Sequence, residues 1–149
     1  GNSSKISAGA AAVVLMSRET AQKMGIKPLA RIIAHGAAGI DVAIPTAAPI
    51  NSIPKVLKKA GLREKDIDLH EINEAFAAST IAVMKELNID QNKVNVNGGA
   101  IALGHPIGCS GARLVVTLLS ALKQQNLKRG MASLCLGGAE AVSLILERM

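Results

Sequence analysis

Two side chains of this sequence are suited to moving protons, His105 and Cys135, and each sits in a glycine-rich setting. His105 lies within Gly98-Gly99-Ala100-Ile101-Ala102-Leu103-Gly104-His105-Pro106-Ile107-Gly108-Cys109-Ser110-Gly111. Glycines free the backbone to approach a ligand closely, and Pro106 restricts the backbone beside His105. Cys135 is followed by Leu136, Gly137, Gly138 and Ala139. That pattern sets a thiol beside unhindered backbone N–H groups able to hold a developing oxyanion. Free thiols titrate near about 8.5 and imidazoles near about 6.5, so a neighbouring pair trades a proton at modest cost. A third segment, Glu71-Ile72-Asn73-Glu74-Ala75-Phe76-Ala77, places Asn73 where a strand hands over to a helix. Asn73 there either caps the helix or orients a water or carbonyl.

Blander readings stand beside these. His105 alone could be a loop histidine with structural hydrogen bonds, and Cys135 alone a small buried apolar residue. A phosphate-binding loop is excluded, because Gly104 is followed by His and Pro rather than Lys and Ser/Thr. The glycine spacing also fails the dinucleotide fingerprint. Zinc held by His105, Cys109, Cys135 and either His70 or His35 is disfavoured, since no C-x-x-C or close His pair exists. On the residues alone, the chain is an α/β domain with a candidate Cys–His site.

The elements that must position these groups follow from periodicity. Ala10 to Met16 has the length of a buried strand; Ser17 offers a helix cap, with Glu19 in the first turn and Gly25 as the stop. Leu29 to Ala34 reads as a strand ending at His35-Gly36. Ile44 to Ile50 reads as a loop because of its two prolines. A helix capped by Ser52, with Pro54 in its first turn, ends at Gly61. Strands are expected at Ile67 to Ile72, Val94 to Val96, Met131 to Cys135 and Ala141 to Leu146. Helices are expected at Glu74 to Leu87 and Ala112 to Gln125, the latter turning Leu114, Val115, Leu118, Leu119 and Leu122 inward. Gly98 to Gly111 reads as a loop. From Leu29 onward this alternation implies a mixed, mostly parallel five-stranded sheet with helices on both faces. Ligands of such sheets sit beyond the carboxyl ends of the strands, where all three motifs fall.

Composition bounds the rest. The 149 residues are 49% apolar with a single aromatic, Phe76, so the core is aliphatic. The formal net charge of +6 is read as solvated helix faces or as a field attracting an anionic ligand. Without Trp, Tyr or a compact basic block, nucleic acid is disfavoured. Two cysteines do not make a disulfide scaffold, which fits a reducing compartment. No run of about 18 apolar residues suggests a membrane span. The opening Gly1-Asn2-Ser3-Ser4-Lys5 does not read as a signal peptide, and with no initiator Met the chain is expected to be a piece of a longer protein.

Taken together, N-E-A-F, G-G-A-I-A-L-G-H-P-I-G-C-S-G and C-L-G-G, in that order and at these distances, resemble the C-terminal half of the thiolase family, acetyl-CoA acetyltransferases and 3-ketoacyl-CoA thiolases. The match runs from Asn2-Ser3-Ser4 through Leu146. The resemblance implies a thiolase-like C-terminal domain over residues 27–149, preceded by a remnant of the N-terminal domain, its last strand and helix, over residues 1–26. Parted from its sheet, that remnant is expected to dock on another copy or be poorly ordered. The implied activity is acyl transfer between coenzyme A thioesters, condensing or cleaving a 3-ketoacyl thioester in fatty acid metabolism. Coenzyme A and acyl-CoA enter as substrates, with no permanently bound cofactor and no metal.

The implied roles are residue by residue. His105 activates a nucleophilic cysteine and contributes to an oxyanion hole, where Asn73 holds a water. Cys135 is the acid/base at the α-carbon, and the Gly137 N–H contributes to a second oxyanion hole. Ser4, Ala75 and Phe76 lie along the pantetheine arm. The nucleophilic cysteine belongs to the missing N-terminal half, so the isolated chain is expected to be inactive; Cys109 is a bystander. A homodimer or homotetramer is implied for the whole protein, with a cytoplasmic location and mitochondrial or peroxisomal alternatives. Ala8 and Ala139 depart from the usual Asp and third glycine, and Val42 to Pro49 is atypical. These departures motivate the alternative of a non-catalytic acyl-CoA or lipid-binding module.

Overall fold

A computed structural model describes residues 3–149; Gly1 and Asn2, where the expected match begins, lie outside the described residues. In chain order the elements are α1 (Arg18–Lys23), β1 (Ala30–Gly39), α2 (Pro49–Ala60), β2 (Leu69–Ile72), α3 (Ala77–Leu87), α4 (Ala100–Leu103), α5 (Ile107–Gln124), β3 (Arg129–Leu136) and β4 (Glu140–Arg148). The strands form one sheet in the order β1-β4-β3-β2, with β2 and β3 parallel and both other pairings antiparallel. The α/β class is as expected, but the sheet has four strands and is less parallel than the alternation implied. The short β3–β4 hairpin inserts β4 between β3 and β1, so both neighbours of β4 run against it. The fifth expected strand, Val94 to Val96, shrinks to one bridge between Val94 and His70. Asn95 turns away at φ 49°, and its side chain replaces the ladder: Nδ2 donates to the Ile72 carbonyl and Oδ1 accepts the Ile72 N–H, both at 2.9 Å.

Strand alternation divides the core between two faces. Ile72, Met131 and Ile145 pack with Ile53 and Val56 of α2 and Val83 of α3. Leu69, Ala132 and Leu146 pack on the other face against Leu114, Leu118 and Leu122 of α5. Of the five α5 residues expected inward, these three are buried, while Val115 and Leu119 pack beside them only partly buried.

Several boundaries differ for definable reasons. α2 begins at Pro49 after a 3-10 turn, Pro45–Ala47, so part of the expected loop is helical and Pro54 lies inside the helix. Proline suits a first helical position because its missing N–H has no partner there anyway. Ser52 is therefore not a cap. It is buried, with its hydroxyl 2.7 Å from Ser143 Oγ, which lies 2.8 Å from Ser133 Oγ. α3 begins at Ala77, not Glu74, which removes the capping role from Asn73. The expected Gly98–Gly111 loop contains α4 and the first turn of α5, which starts directly after Pro106. Ser17 does cap α1, accepting the Thr20 N–H at 3.1 Å. Residues 10–16 pair with no strand among the described residues, and Val14 and Leu15 are exposed.

β1 is an edge strand, and α2 covers its edge. Asn51 Nδ2, Lys55 Nζ and Lys59 Nζ donate to the carbonyls of Gly39, Ala37 and His35 at 2.8, 2.8 and 3.0 Å. Helical spacing of four on α2 thus matches strand spacing of two on β1.

Two features carry local cost. Ala139, at the third position of the Gly137-Gly138-Ala139 turn, has φ 60° and is buried. A Cβ in the left-handed region costs roughly 1–2 kcal/mol. The second is β2, which buries His70 and Glu71 almost completely. Burial pushes His70 down from an ordinary 6.5 to about 4, helped by the charge of Lys93. Burial pushes Glu71 up from 4.5 to about 7, outweighing the Arg113 guanidinium 3.1 Å away.

Ala139→Gly is expected to stabilise the fold by about 1 kcal/mol in urea unfolding, the relief of Cβ strain exceeding the entropy of glycine. A pH dependence also follows. The folded pKa of His70 is depressed, so its contribution is present above pH 6.5 and lost as pH falls toward about 4. That of Glu71 is raised, so its contribution is present below pH 4.5 and lost as pH rises through about 7. Between those limits the two slopes oppose one another. Glu71→Gln removes one of them, and the variant is expected to lose about 1.4 kcal/mol per pH unit relative to the native chain on acidification through that window. Parallel curves for the two proteins would show that Glu71 does not titrate there.

Candidate active site

The parallel pairing of β2 and β3 brings their carboxyl ends to one edge of the sheet. Asn73 directly follows β2, and Cys135 is the penultimate residue of β3. α5 packs across both strands, which carries its N-terminus, and His105 just before it, to the same edge. The Asn73 N–H donates to the Ser133 carbonyl at 2.9 Å, continuing the ladder one residue past β2.

The imidazole of His105 is held at both nitrogens. Nδ1 lies 2.6 Å from Ser110 Oγ, and that hydroxyl donates to the Pro106 carbonyl at 3.1 Å. A hydroxyl has one proton to give, so Ser110 accepts from Nδ1–H. The neutral ring then carries its lone pair on Nε2, facing Asn73 Nδ2 at 3.4 Å. Burial, followed by the charge of Arg113, holds His105 below its ordinary value, which favours this neutral form. Nε2 can therefore take a proton and, once charged, donate it to a developing oxyanion.

Cys135 is half-buried. Burial pushes its thiol up, while its own backbone N–H and the Asn73 side chain pull the other way. The Asn73 amide thus contacts the imidazole and lowers the thiol's pKa. Its Oδ1 is buried and has no partner among the described residues, leaving an acceptor for a bound donor. A neutral imidazole and a protonated thiol form a resting pair without net charge, suited to a half-buried pocket.

Gly137 is exposed in the hairpin turn two residues past Cys135, and a Cβ there would meet nothing within 4 Å. Ser4 is half-buried on the arm before α1; Ala75 is half-buried and Phe76 exposed at the approach to α3. No hydrogen bond among the described residues joins Ser4, Ala75 or Phe76 to His105, Asn73 or Cys135. Cys109 is buried in the first turn of α5.

Three groups supporting the site were given no role from the sequence. Ser110 stands five residues after His105, a spacing that gains meaning once the helix is known to start at Pro106. Glu74 accepts the Ile101 N–H at the start of α4, at 3.2 Å, and fills the space that a side chain on Gly99 would need. Arg113 pairs with Glu71 at 3.1 Å beneath the site and adds its charge near His105. A buried charge pair within a strand and a helix far apart in sequence leaves no local pattern to read.

Comparison with known proteins agrees with this architecture. Residues 26–148 match the family model described as thiolase, C-terminal domain. The chain is 51% identical over 149 residues to an acetyl-CoA acetyltransferase of Allochromatium vinosum, covering 100% of this chain and 38% of the relative. The crystal structure of the Bacillus anthracis acetyl-CoA acetyltransferase superposes with a TM-score of 0.88 at 50% identity, over 90% of this chain and 34% of that one. Human mitochondrial 3-ketoacyl-CoA thiolase in complex with CoA superposes with a TM-score of 0.87 at 42% identity, over 89% and 34%. The chain thus spans well under half the length of the curated relatives it matches. With the family model covering most of its length and the same fold in close relatives, this chain belongs to the thiolase family.

Proposed function

We propose that this chain supplies the C-terminal half of a thiolase that transfers acyl groups between coenzyme A thioesters. The observation that carries the reading is that Asn73 and His105, in contact at 3.4 Å, and Cys135 meet at the edge formed by the carboxyl ends of β2 and β3. The nucleophilic cysteine comes from the part of the protein outside this chain. His105 Nε2 takes its proton as sulfur attacks the thioester or keto carbonyl, and the resulting N–H stabilises the oxyanion with a water oriented by Asn73. In cleavage, Cys135 gives its proton to the carbanion released when the carbon–carbon bond breaks. The thiolate so formed takes the proton of the incoming coenzyme A thiol, which attacks the acyl-enzyme and expels the nucleophilic cysteine, and that sulfur recovers its proton from His105. Condensation reverses these transfers. The Gly137 N–H contributes to a second oxyanion hole, and Ser4, Ala75 and Phe76 flank the pantetheine arm.

The surface supports a larger assembly. α5 covers mainly β2 and β3, and beside it an apolar groove of about 470 Å³ opens over Val115, Leu134, Val142 and Leu144. The unpaired segment 10–16, with Val14 and Leu15 exposed, is the last strand of the preceding domain in this reading, and α1 its last helix. Both surfaces await the rest of the protein.

Ala139 favours a second reading, a non-catalytic acyl-CoA-binding module, because its strained φ lies in the turn beside Cys135. Thiolysis of acetoacetyl-CoA by the complete polypeptide separates the two. Activity is expected, with His105→Asn and Cys135→Ser each lowering kcat by roughly 10²–10⁴, and none is expected from this chain alone. A complete, folded, coenzyme A-binding polypeptide without thiolysis would overturn the enzymatic reading. Iodoacetamide should label Cys135 slowly at neutral pH and faster as pH rises beyond the ordinary thiol range, burial holding the thiol up.

A further inference from the structure

The arm before α1 crosses the His105 loop, and it does so with alternate residues. Lys5 Nζ donates to the Ile101 carbonyl in α4 at 3.1 Å. Ser7 Oγ accepts the His105 N–H at 3.2 Å. Gly9 lies against Pro106, so closely that a Cβ there would sit 2.8 Å from Pro106 Cγ. Contacts at every second residue are those of one face of an extended chain. The loop is shaped to receive it: Gly104 has φ 91°, and a Cβ on Gly104 would lie 2.7 Å from Ser7 Oγ.

Ser7 is the acceptor of the His105 N–H among the described residues, and no backbone carbonyl takes that place. The ring of His105 is fixed by Ser110 and faces Asn73, but the point from which the side chain springs is fixed by the arm. A ring held at its tip and free at its root still swings. A half-buried N–H that loses its acceptor draws the backbone toward water or another partner.

We propose that Ser7 is a positioning residue for His105, and that Lys5, Ser7 and Gly9 form a strap that sets where the imidazole meets the reacting thioester. The strap also ties the arm that carries Ser4 to the loop of the proton-moving group. This inference rests on the thiolase reading for its kinetic consequence, but not for its geometry.

The test uses the complete polypeptide and two readouts. Ser7→Ala is expected to lower kcat for acetoacetyl-CoA thiolysis about 10-fold through misplacement of the base, with KM for coenzyme A changed less than about twofold, and Ser7→Thr to restore it. Amide hydrogen exchange at His105 is expected to speed up at least about 10-fold in Ser7→Ala and to stay near native in Ser7→Thr. Native kcat together with native His105 exchange in Ser7→Ala overturns the strap. Faster His105 exchange in a polypeptide that never shows thiolysis supports the strap and overturns the thiolase reading instead. Should Ser7→Ala fail to fold, Gly9→Ala, which pushes the arm off Pro106 and keeps the hydroxyl, must show the same drop in kcat; a native value there overturns the proposal.

Discussion

The chain of hydrogen bonds from the Pro106 carbonyl through Ser110 to Nδ1 of His105 is the constraint on which the site depends. It decides the tautomer, and the tautomer decides which nitrogen can act. Were Nδ1 to lose that partner, Nε2 would be free to carry the proton, and Asn73 would face a donor with its own donor. The bond exists because α5 begins at once after Pro106, placing Ser110 one turn into the helix and back over the preceding carbonyl. A helix boundary, rather than any single polar residue, is therefore what leaves the Nε2 lone pair of His105 facing Asn73.

Beneath that site the protein tolerates an unfavourable burial. Glu71 and Arg113 form a pair with buried atoms that lack partners among the described residues: Glu71 Oε1 and Arg113 Nε and Nη2. Pairs of this kind add little net stability compared with apolar packing, yet removing one partner alone is strongly destabilising. Next to it on β2, His70 is buried with neither ring nitrogen hydrogen-bonded among the described residues, Glu64 Oε1 standing 3.6 Å from Nε2. β2 is thus a short strand of four residues, two of them ionisable, held in place by packing on both faces and by the Asn95 side chain at its end.

Much of the domain was legible because apolar spacing writes itself locally. The α5 leucines, the left-handed stop at Gly61 and the Ser17 cap follow from residues within one turn of each other. What escaped was what the tertiary structure overrides. Val94 to Val96 has strand composition, but the side chain of Asn95 outcompetes its backbone for Ile72. Ser52 has a cap's chemistry but is pulled inward to Ser143. The glycine-rich stretch reads as loop because glycine disfavours helices, yet packing on β3 carries Gly108 and Gly111 into α5. His105, Asn73 and Cys135 were visible as residue types in telling surroundings. Ser7 and Ser110 were not, because a serine's role lies wholly in what it faces.

The rail of donors that α2 lays along β1 has a further consequence. Outer strands are ordinarily where one sheet recruits another, since their carbonyls and N–H groups lie open in register. Here alternate carbonyls are already occupied by Asn51, Lys55 and Lys59, and two of the three occupants bring a positive charge. A strand arriving from a second molecule would find every other acceptor blocked and a lysine in its path. From His35 to Gly39 the flank of β1 is therefore closed to an added strand.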